Sequence, residues 1–156
     1  TFGLEQNLNW TGLCIEANSQ YWKRLAFHKC KVIGAVVGAI RDEEVTFQFK
    51  GEYGGIANNN NNKNDNSTTS AKVSTVPLLE ILQRNDVPHE IDYLSLDVEG
   101  AEAFILMQLF PTLQDLGYRI RIMTIERLSN EGRDFMKQYG YQENVRLGAI
   151  GEGLYV

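Results

Sequence analysis

The sequence has few cysteines, no excess of basic residues and no long apolar run. Its 2 cysteines are too few for the disulfide framework of a small secreted protein. The 15 basic and 20 acidic residues give a formal net charge of -5, which argues against a protein that binds the phosphate backbone of nucleic acids. The longest apolar runs fall far below the roughly 20 residues of a membrane-spanning helix. We therefore expect neither a nucleic-acid partner nor a membrane span.

The surroundings of Cys14 favour a reduced thiol. Cys14 lies within the apolar run Leu13 to Ile15, where a free cysteine behaves as a small core residue. The first ten residues lack the charged start and apolar stretch of a secretory signal peptide. We therefore expect a reducing, cytoplasmic location, while a segment upstream of Thr1 can still carry a targeting or anchor signal.

The length and composition are those of one globular domain. The chain has 156 residues, of which 43% are hydrophobic and 22% charged, far from the composition of disordered chains. One segment differs, because Gly51 to Lys72 loses all periodicity and contains an unbroken asparagine run from Asn58 to Asn62. We predict a single domain over residues 1–156 with a mobile, asparagine-rich insertion at about 51–72.

Short apolar runs alternate with segments of helical periodicity. This alternation predicts an α/β fold with parallel central strands, because each crossover helix must return the chain across the sheet. Helices are expected at Phe2–Leu8, Gln20–Lys29, a segment capped by Thr75 with Pro77 in its first turn, Ala101–Leu109 and Glu131–Tyr139. Strands are expected at Leu13–Ile15, Lys31–Val37, Val45–Phe49, Ile91–Leu96, Arg119–Ile125 and, as a terminal hairpin, Tyr141–Val145 and Gly153–Val156.

Three of the predicted strands end on a carboxylate, namely Glu16, Asp97 and Glu126. In an open parallel sheet these ends face one crevice, which is where such folds bind ligands. Glu16 follows its strand in the position from which an acid accepts both hydroxyl protons of a ribose. The simpler interpretation is that Glu16 is a solvent-exposed residue at a strand end and binds no ligand.

Asp97 and Glu99 lie two residues apart beside Gly100. Both side chains can therefore face one ligand, such as a substrate hydroxyl or a hard cation. The alternative for Glu99 is structural, since with Glu102 it can begin a helix whose dipole favours negative charge. Asp97 is the strongest single candidate, because a buried carboxylate without a partner is energetically costly.

Two other patterns carry no site. His28 and Cys30 are potential metal ligands without a second pair, so no metal site is expected. The glycines from Gly148 to Gly153 are not followed by the helix that a dinucleotide-binding loop requires, and we interpret them as hairpin-turn residues.

The stretches around the three carboxylates carry a family resemblance. They are Asn9–Asn18 (NWTGLCIEAN), Ile91–Glu102 (IDYLSLDVEGAE), Ile125–Glu126 and Gly140–Tyr141. Together they resemble the FkbM-type S-adenosylmethionine-dependent methyltransferases. The resemblance implies a Rossmann-like class I methyltransferase sheet with helices on both faces and a C-terminal β-hairpin.

The same resemblance implies roles for individual residues. The cofactor would be S-adenosylmethionine, and the methyl acceptor a hydroxyl group of a small molecule or sugar. An acid at a strand end would hold the ribose hydroxyls, small apolar residues would flank the adenine, and acids near the acceptor would take up its proton. The implied cofactor-binding residues are Glu16, Ala17, Val36 and Asp97, and the implied catalytic residues are Asp97, Glu99 and Glu126.

The sequence departs from the family at its start. Members of this family begin the domain with a strand and a glycine-rich loop whose backbone approaches the cofactor. Here Thr1 to Glu5 correspond to the helix that follows this loop. We therefore expect a fragment that lacks the first strand and is inactive alone. The alternative function is a non-catalytic interaction module, like the Star-like proteins associated with membrane trafficking.

Overall fold

The computed structural model describes residues 2–49, 54–57, 69–148 and 151–156. These residues form a mixed α/β protein, and the chain divides into two compact units, Thr1–Pro77 and Leu78–Val156. The helices are α1 (Phe2–Leu8), α2 (Ser19–Leu25), α3 (Leu78–Arg84), α4 (Glu102–Asp115) and α5 (Asn130–Gln138). The strands are β1 (Gly12–Ile15), β2 (Cys30–Ile33), β3 (Val36–Gly38), β4 (Glu44–Phe49), β5 (Gly55–Ile56), β6 (Thr69–Pro77), β7 (Glu90–Leu96), β8 (Arg119–Glu126), β9 (Glu143–Leu147) and β10 (Glu152–Tyr155).

The first unit begins with a strand-helix-strand arrangement. Strands β1 and β2 pair in parallel, with Cys14 opposite Val32. Between them α2 begins after Asn18, whose side chain accepts a hydrogen bond from the Gln20 amide at 3.0 Å, as an N-cap residue does. The predicted capping is confirmed, although α2 ends at Leu25 and not near Lys29.

The prediction of one continuous strand from Lys31 to Val37 is wrong. Strand β2 ends at Ile33, and β3 begins at Val36 in a different sheet, whose order is β3-β6-β4-β5. The break lies at Gly34, where an added Cβ would come within 2.2 Å of the Trp22 ring. Only glycine allows the backbone to pass the indole so closely.

The predicted helix cap at Thr75 is also wrong. Thr75 lies in β6, which pairs antiparallel with β4 and parallel with β3. Its hydroxyl donates to the Ile40 carbonyl at 2.6 Å, so it joins two segments of the first unit. The β-branched residues Val73, Thr75 and Val76 suit a paired strand, and helix α3 begins only after Pro77.

Parts of the predicted asparagine-rich insertion form strands. Residues 55–56 form β5 against β4, and β6 begins at Thr69. The remaining part of the predicted insertion, residues 51–53 and 58–68, lies outside the described residues.

The two cysteines form a disulfide bond. Cys14 in β1 and Cys30 in β2 lie on the two paired strands, with their Cα atoms 5.6 Å apart. The expectation of a reduced core thiol at Cys14 is therefore wrong, because parallel pairing brings its sulfur next to Cys30. The cytoplasmic location, which was based in part on a reduced Cys14, stays a prediction.

The second unit contains most of the buried apolar side chains. Its sheet has the order β7-β8-β10-β9, with β7 and β8 parallel and β10 antiparallel to both its neighbours. The predicted C-terminal hairpin is thereby confirmed as β9 and β10. Met123 and Ile125 on β8 are fully buried, and Leu106 on α4 is 1% exposed. Among the described residues, no helix is long and apolar enough to cross a membrane.

Candidate active site

A cluster of carboxylates lies at the carboxyl ends of β7 and β8. The two strands are parallel and adjacent, with Leu96 opposite Ile125, so Asp97 and Glu126 emerge side by side. One side-chain oxygen from each of Asp97, Glu99 and Glu126 lies within 4.8 Å of the other two. We call these three residues the carboxylate cluster. The structure thus brings together two of the three acids predicted at strand ends, Asp97 and Glu126, and adds Glu99 to them. Glu16, the third, belongs to the first unit.

A tight turn directs Glu99 into the cluster. Glu99 and Gly100 both have left-handed backbone conformations, with φ of 54° and 101°. The buried carboxylate of Glu102 stabilises this turn by accepting hydrogen bonds from the amides of Val98 at 3.2 Å and Gly100 at 3.1 Å. Helix α4 begins at Glu102, so Glu99 lies outside the helix. The structural alternative therefore applies to Glu102 and not to Glu99.

Arg127 neutralises part of the cluster. Its Nη2 donates to Glu99 at 2.8 Å, and its Nε lies 3.0 Å from the Glu126 carboxylate. The three carboxylates have the oxygen chemistry of a hard-cation site, yet a guanidinium already contacts two of them. Arg127 also has a left-handed backbone, with φ of 47°, at the residue that follows β8.

The cluster raises the proton affinity of Asp97. Partial burial of the carboxyl group is the largest cause, followed by its hydrogen bond to Glu126 and by the negative charges of Glu126, Glu99 and Glu102. Together they raise the pKa of Asp97 to about 7. The residue as a whole remains open to solvent on one side. Asp97 can therefore exchange a proton with a bound molecule near neutral pH.

Hydroxyl groups connect the two strands just before the cluster. The Tyr93 hydroxyl and the Thr124 hydroxyl are 2.6 Å apart, and Thr124 also lies 3.4 Å from the Ser95 hydroxyl. Ser95 and Thr124 are opposite each other in the parallel register. These contacts hold the ends of β7 and β8 in fixed relative positions.

Glu16 lies at the end of β1 in the first unit. One of its carboxylate oxygens accepts a hydrogen bond from the Asn18 amide at 2.6 Å. Its carbonyl accepts from the Trp22 ring nitrogen at 3.0 Å, and its amide donates to the Ile33 carbonyl at 3.0 Å. Glu16 is therefore firmly oriented and half-buried.

The two apolar candidates also lie in the first unit. Ala17 is half-buried next to Glu16, and Val36 is 8% exposed at the start of β3. The cofactor roles of Ala17 and Val36, like that of Glu16, stay predictions.

Comparison with known protein families identifies the family of this chain. It matches the methyltransferase FkbM domain over residues 2–143. The chain belongs to the FkbM methyltransferase family. No curated protein and no solved structure matches the chain significantly. The family resemblance found in the sequence is confirmed, and membership supports a methyltransferase in general. It does not favour the Star-like interaction module.

Two charged residues of this FkbM domain make several polar contacts and were not predicted from the sequence. Arg127 is one, because a basic residue after a strand is usually a solvated surface residue. Glu5 on α1 is the other, since its buried carboxylate accepts from the Lys29 amide at 2.9 Å and contacts the His28 ring at 3.0 Å. The Lys29 amide and then His28 lower the pKa of Glu5. An acid on the otherwise apolar face of a short helix was the only signal for it.

Proposed function

We propose that this FkbM domain is an S-adenosylmethionine-dependent methyltransferase that methylates a hydroxyl group of a small molecule or sugar. Family membership supports methyl transfer. The carboxylate cluster supports oxygen methylation, because a hydroxyl nucleophile must lose a proton as its oxygen is methylated. The observation that carries the proposal is the Asp97 carboxyl, which lies beside Glu126 at the carboxyl end of two parallel strands.

Asp97 is the proposed base. A carboxylate whose pKa is about 7 accepts a proton more readily than an ordinary aspartate, and at neutral pH it is still substantially deprotonated. Glu126 and Glu99 increase this proton affinity, and Arg127 keeps those two acids in place. Because the base must be deprotonated, activity rises with pH through about 7.

The residues at the end of β1 suit the ribose of the cofactor. The Glu16 carboxylate is fixed by the Asn18 amide and can accept hydroxyl protons, as the acid after a strand does in nucleotide-binding folds. When bound, S-adenosylmethionine supplies an electrophilic methyl group. The proposed fold is the Rossmann-like sheet of such enzymes, and the reversed β10 between β8 and β9 supports it.

Cofactor binding is tested by calorimetric titration of S-adenosylhomocysteine. The titration uses this chain and a version extended upstream by a strand and a glycine-rich loop. We expect Glu16→Gln to weaken binding by about tenfold to a hundredfold, since a hydrogen bond to a charged acceptor is lost. Asp42→Asn, an exposed acid of the same unit, is the matched control and should leave the affinity unchanged. If neither form binds the ligand, the proposal is wrong.

The proposed base is tested separately, with labelled S-adenosylmethionine and a panel of hydroxylated small molecules and sugars. We expect Asp97→Asn to lower methyl transfer about a hundredfold or more while S-adenosylhomocysteine binding changes far less. Asp92→Asn removes an exposed carboxylate from the same strand and should retain activity. Equal activity of Asp97→Asn and the unmodified protein would exclude Asp97 as the base.

A further inference from the structure

A tryptophan of the first unit contacts the carboxyl ends of both β1 and β2. The indole nitrogen of Trp22 donates a hydrogen bond at 3.0 Å to the carbonyl of Glu16, the residue that follows β1. The six-membered part of the same ring reaches Gly34, the residue that follows β2, where an added Cβ would lie 2.2 Å from Cζ2. The two strands are parallel. Trp22 therefore lies at the end of the strand pair where open α/β folds bind their ligands.

Trp22 is not a core residue. Aromatic side chains at helical spacing usually pack into the interior of a protein. Helix α2, however, contains no fully buried residue, and Trp22 is 40% exposed. An exposed side chain ordinarily exchanges between rotamers. Here the hydrogen bond to Glu16 and the contact with Gly34 hold the ring in one orientation. The indole is thus a flat, oriented surface that remains open to solvent.

The Glu16 carboxylate lies next to this ring. Its position is fixed by the Asn18 amide at 2.6 Å, and the backbone of the same residue accepts the indole hydrogen bond. A single nucleoside can therefore contact both groups. An acid at a strand end accepts the hydroxyl protons of a ribose, and every base has a face that stacks on an aromatic side chain. The pair of Glu16 and Trp22 thus matches the two halves of a nucleoside.

We propose that Trp22 stacks on the adenine of the cofactor while Glu16 holds its ribose. This role rests on the proposed function, and it adds a third residue to the predicted adenine contacts of Ala17 and Val36. Stacking uses the face of a base and not its hydrogen-bonding atoms. Trp22 therefore favours a large purine over a small pyrimidine, because the larger ring covers more of the indole.

Calorimetric titration of S-adenosylhomocysteine tests this role, with the chain as it stands and with the version extended upstream. Trp22→Leu should weaken binding about tenfold, since the stacking of one base is lost. Trp22→Phe should weaken it less than about threefold, because it keeps an aromatic ring and loses only the indole N–H. Phe27→Leu is the matched control, since Phe27 is 84% exposed and lies on the loop between α2 and β2. It should leave the affinity unchanged.

Tryptophan fluorescence gives a second measurement that requires no methyl transfer. The chain has 2 tryptophans, so Trp10→Phe leaves Trp22 as the only emitter. We expect adenosine to quench this emission saturably, because a stacked base lies directly on the indole. Uridine should bind more weakly than adenosine. Adding Glu16→Gln should weaken the binding of both nucleosides, since both have the same ribose.

The outcomes separate this role from the proposed function. If Trp22→Leu leaves the affinity for S-adenosylhomocysteine unchanged while Glu16→Gln lowers it, the role of Trp22 is wrong and the proposed function stands. Equal losses in Trp22→Leu and Trp22→Phe would also overturn stacking, because the indole N–H and not the ring would then account for the effect. If circular dichroism shows that Trp22→Leu is unfolded, the adenosine quench decides, and its absence in a protein that binds S-adenosylhomocysteine overturns the role. If S-adenosylhomocysteine binds neither form of the protein, the proposed function is wrong, and the role of Trp22 with it.

Discussion

Among single residues, Asp97 couples the stability of the second unit to pH. Its pKa is about 7 in the folded protein, far above the 3.8 of an ordinary aspartate, so the folded state holds the proton more tightly than the unfolded state. Stability from this residue is therefore complete below about pH 4 and is lost as pH rises toward 7. We expect Asp97→Asn to match the unmodified protein at pH 4 and to exceed its free energy of unfolding by about 1 kcal/mol at pH 8. Solvent screening at this exposed position keeps the gain small.

Urea unfolding at the two pH values measures this effect. Asp92→Asn is again the control, because Asp92 lies on the same strand but pairs with Arg121 outside the cluster. It should show no gain at pH 8. A gain of equal size in both variants would mean that the general negative charge of the protein, and not the cluster, is responsible.

Substitution of Arg127 should lower the free energy of unfolding, whereas substitution of Asp97 should raise it. Arg127→Gln leaves Glu99 and the buried Glu126 without their cation, so the carboxylates repel one another when charged. We expect a lower urea midpoint at pH 8 and a smaller loss at pH 4, where Asp97 is protonated and the cluster carries less negative charge. Arg127→Lys should retain part of the stability, because it keeps the charge but not the two-armed geometry. A loss that is independent of pH would show that Arg127 contributes packing alone.

The position of the acids could be predicted from the sequence, whereas their electrostatic surroundings could not. Buried apolar runs that end in Asp97 and Glu126 identify neighbouring strand ends without any tertiary information. The contact with Arg127 depends on a left-handed residue after β8, and backbone conformations of that kind leave no periodic signal. The distinction between Glu99 and Glu102 likewise depends on where α4 begins, which sequence patterns place only within a few residues.

Among the secondary-structure elements, the paired strands β1 and β2 owe part of their stability to the Cys14–Cys30 disulfide. The bond closes a loop with a sequence separation of 16 residues. Closing a loop of this size stabilises a fold by about 3 kcal/mol. We expect reduction to lower the free energy of unfolding of the first unit by about this amount, measured by urea unfolding with and without reductant.

The double variant Cys14→Ser/Cys30→Ser is the control for reduction. It should be less stable than the oxidised protein and insensitive to the reductant. Thiol titration of the folded, unreduced protein should detect no free cysteine. Two reactive thiols in that titration would contradict the bond.

Local elements were predicted well and long-range pairing poorly. Helices α1 and α5 and strands β7, β8 and β10 lie close to where periodicity placed them. Thr75 was assigned to a helix because Pro77 suits a first helical turn, but its true environment is set by β4, about thirty residues earlier in the chain. The disulfide was missed for the same reason, since nothing local shows that Cys30 lies beside Cys14.

In the whole molecule, the two units differ in how much apolar surface they bury. Among the described residues, the buried apolar side chains of the first unit are Val36 and Phe47, while the second unit contains sixteen, centred on Met123 and Ile125. Burial of apolar surface is the main stabilising contribution to folding. Local unfolding of the first unit should therefore require less free energy than unfolding of the second unit.

Native-state hydrogen exchange measures this difference. We expect the slowest amides on β8, where both neighbouring strands pair with it, and faster exchange throughout β1 to β6. Reduction of the disulfide should accelerate exchange in the first unit and leave β8 unchanged. Uniform protection across both units would show that the chain unfolds as one cooperative body.

The disulfide between β1 and β2 also determines which fragments a protease can release. Trypsin cleaves after lysine and arginine, and Cys30 lies between Lys29 and Lys31. Without reduction, the peptide that ends at Lys23 and contains Cys14 therefore keeps the dipeptide Cys30-Lys31 attached through sulfur. A mass spectrum of an unreduced digest will contain this branched peptide and lack its linear form.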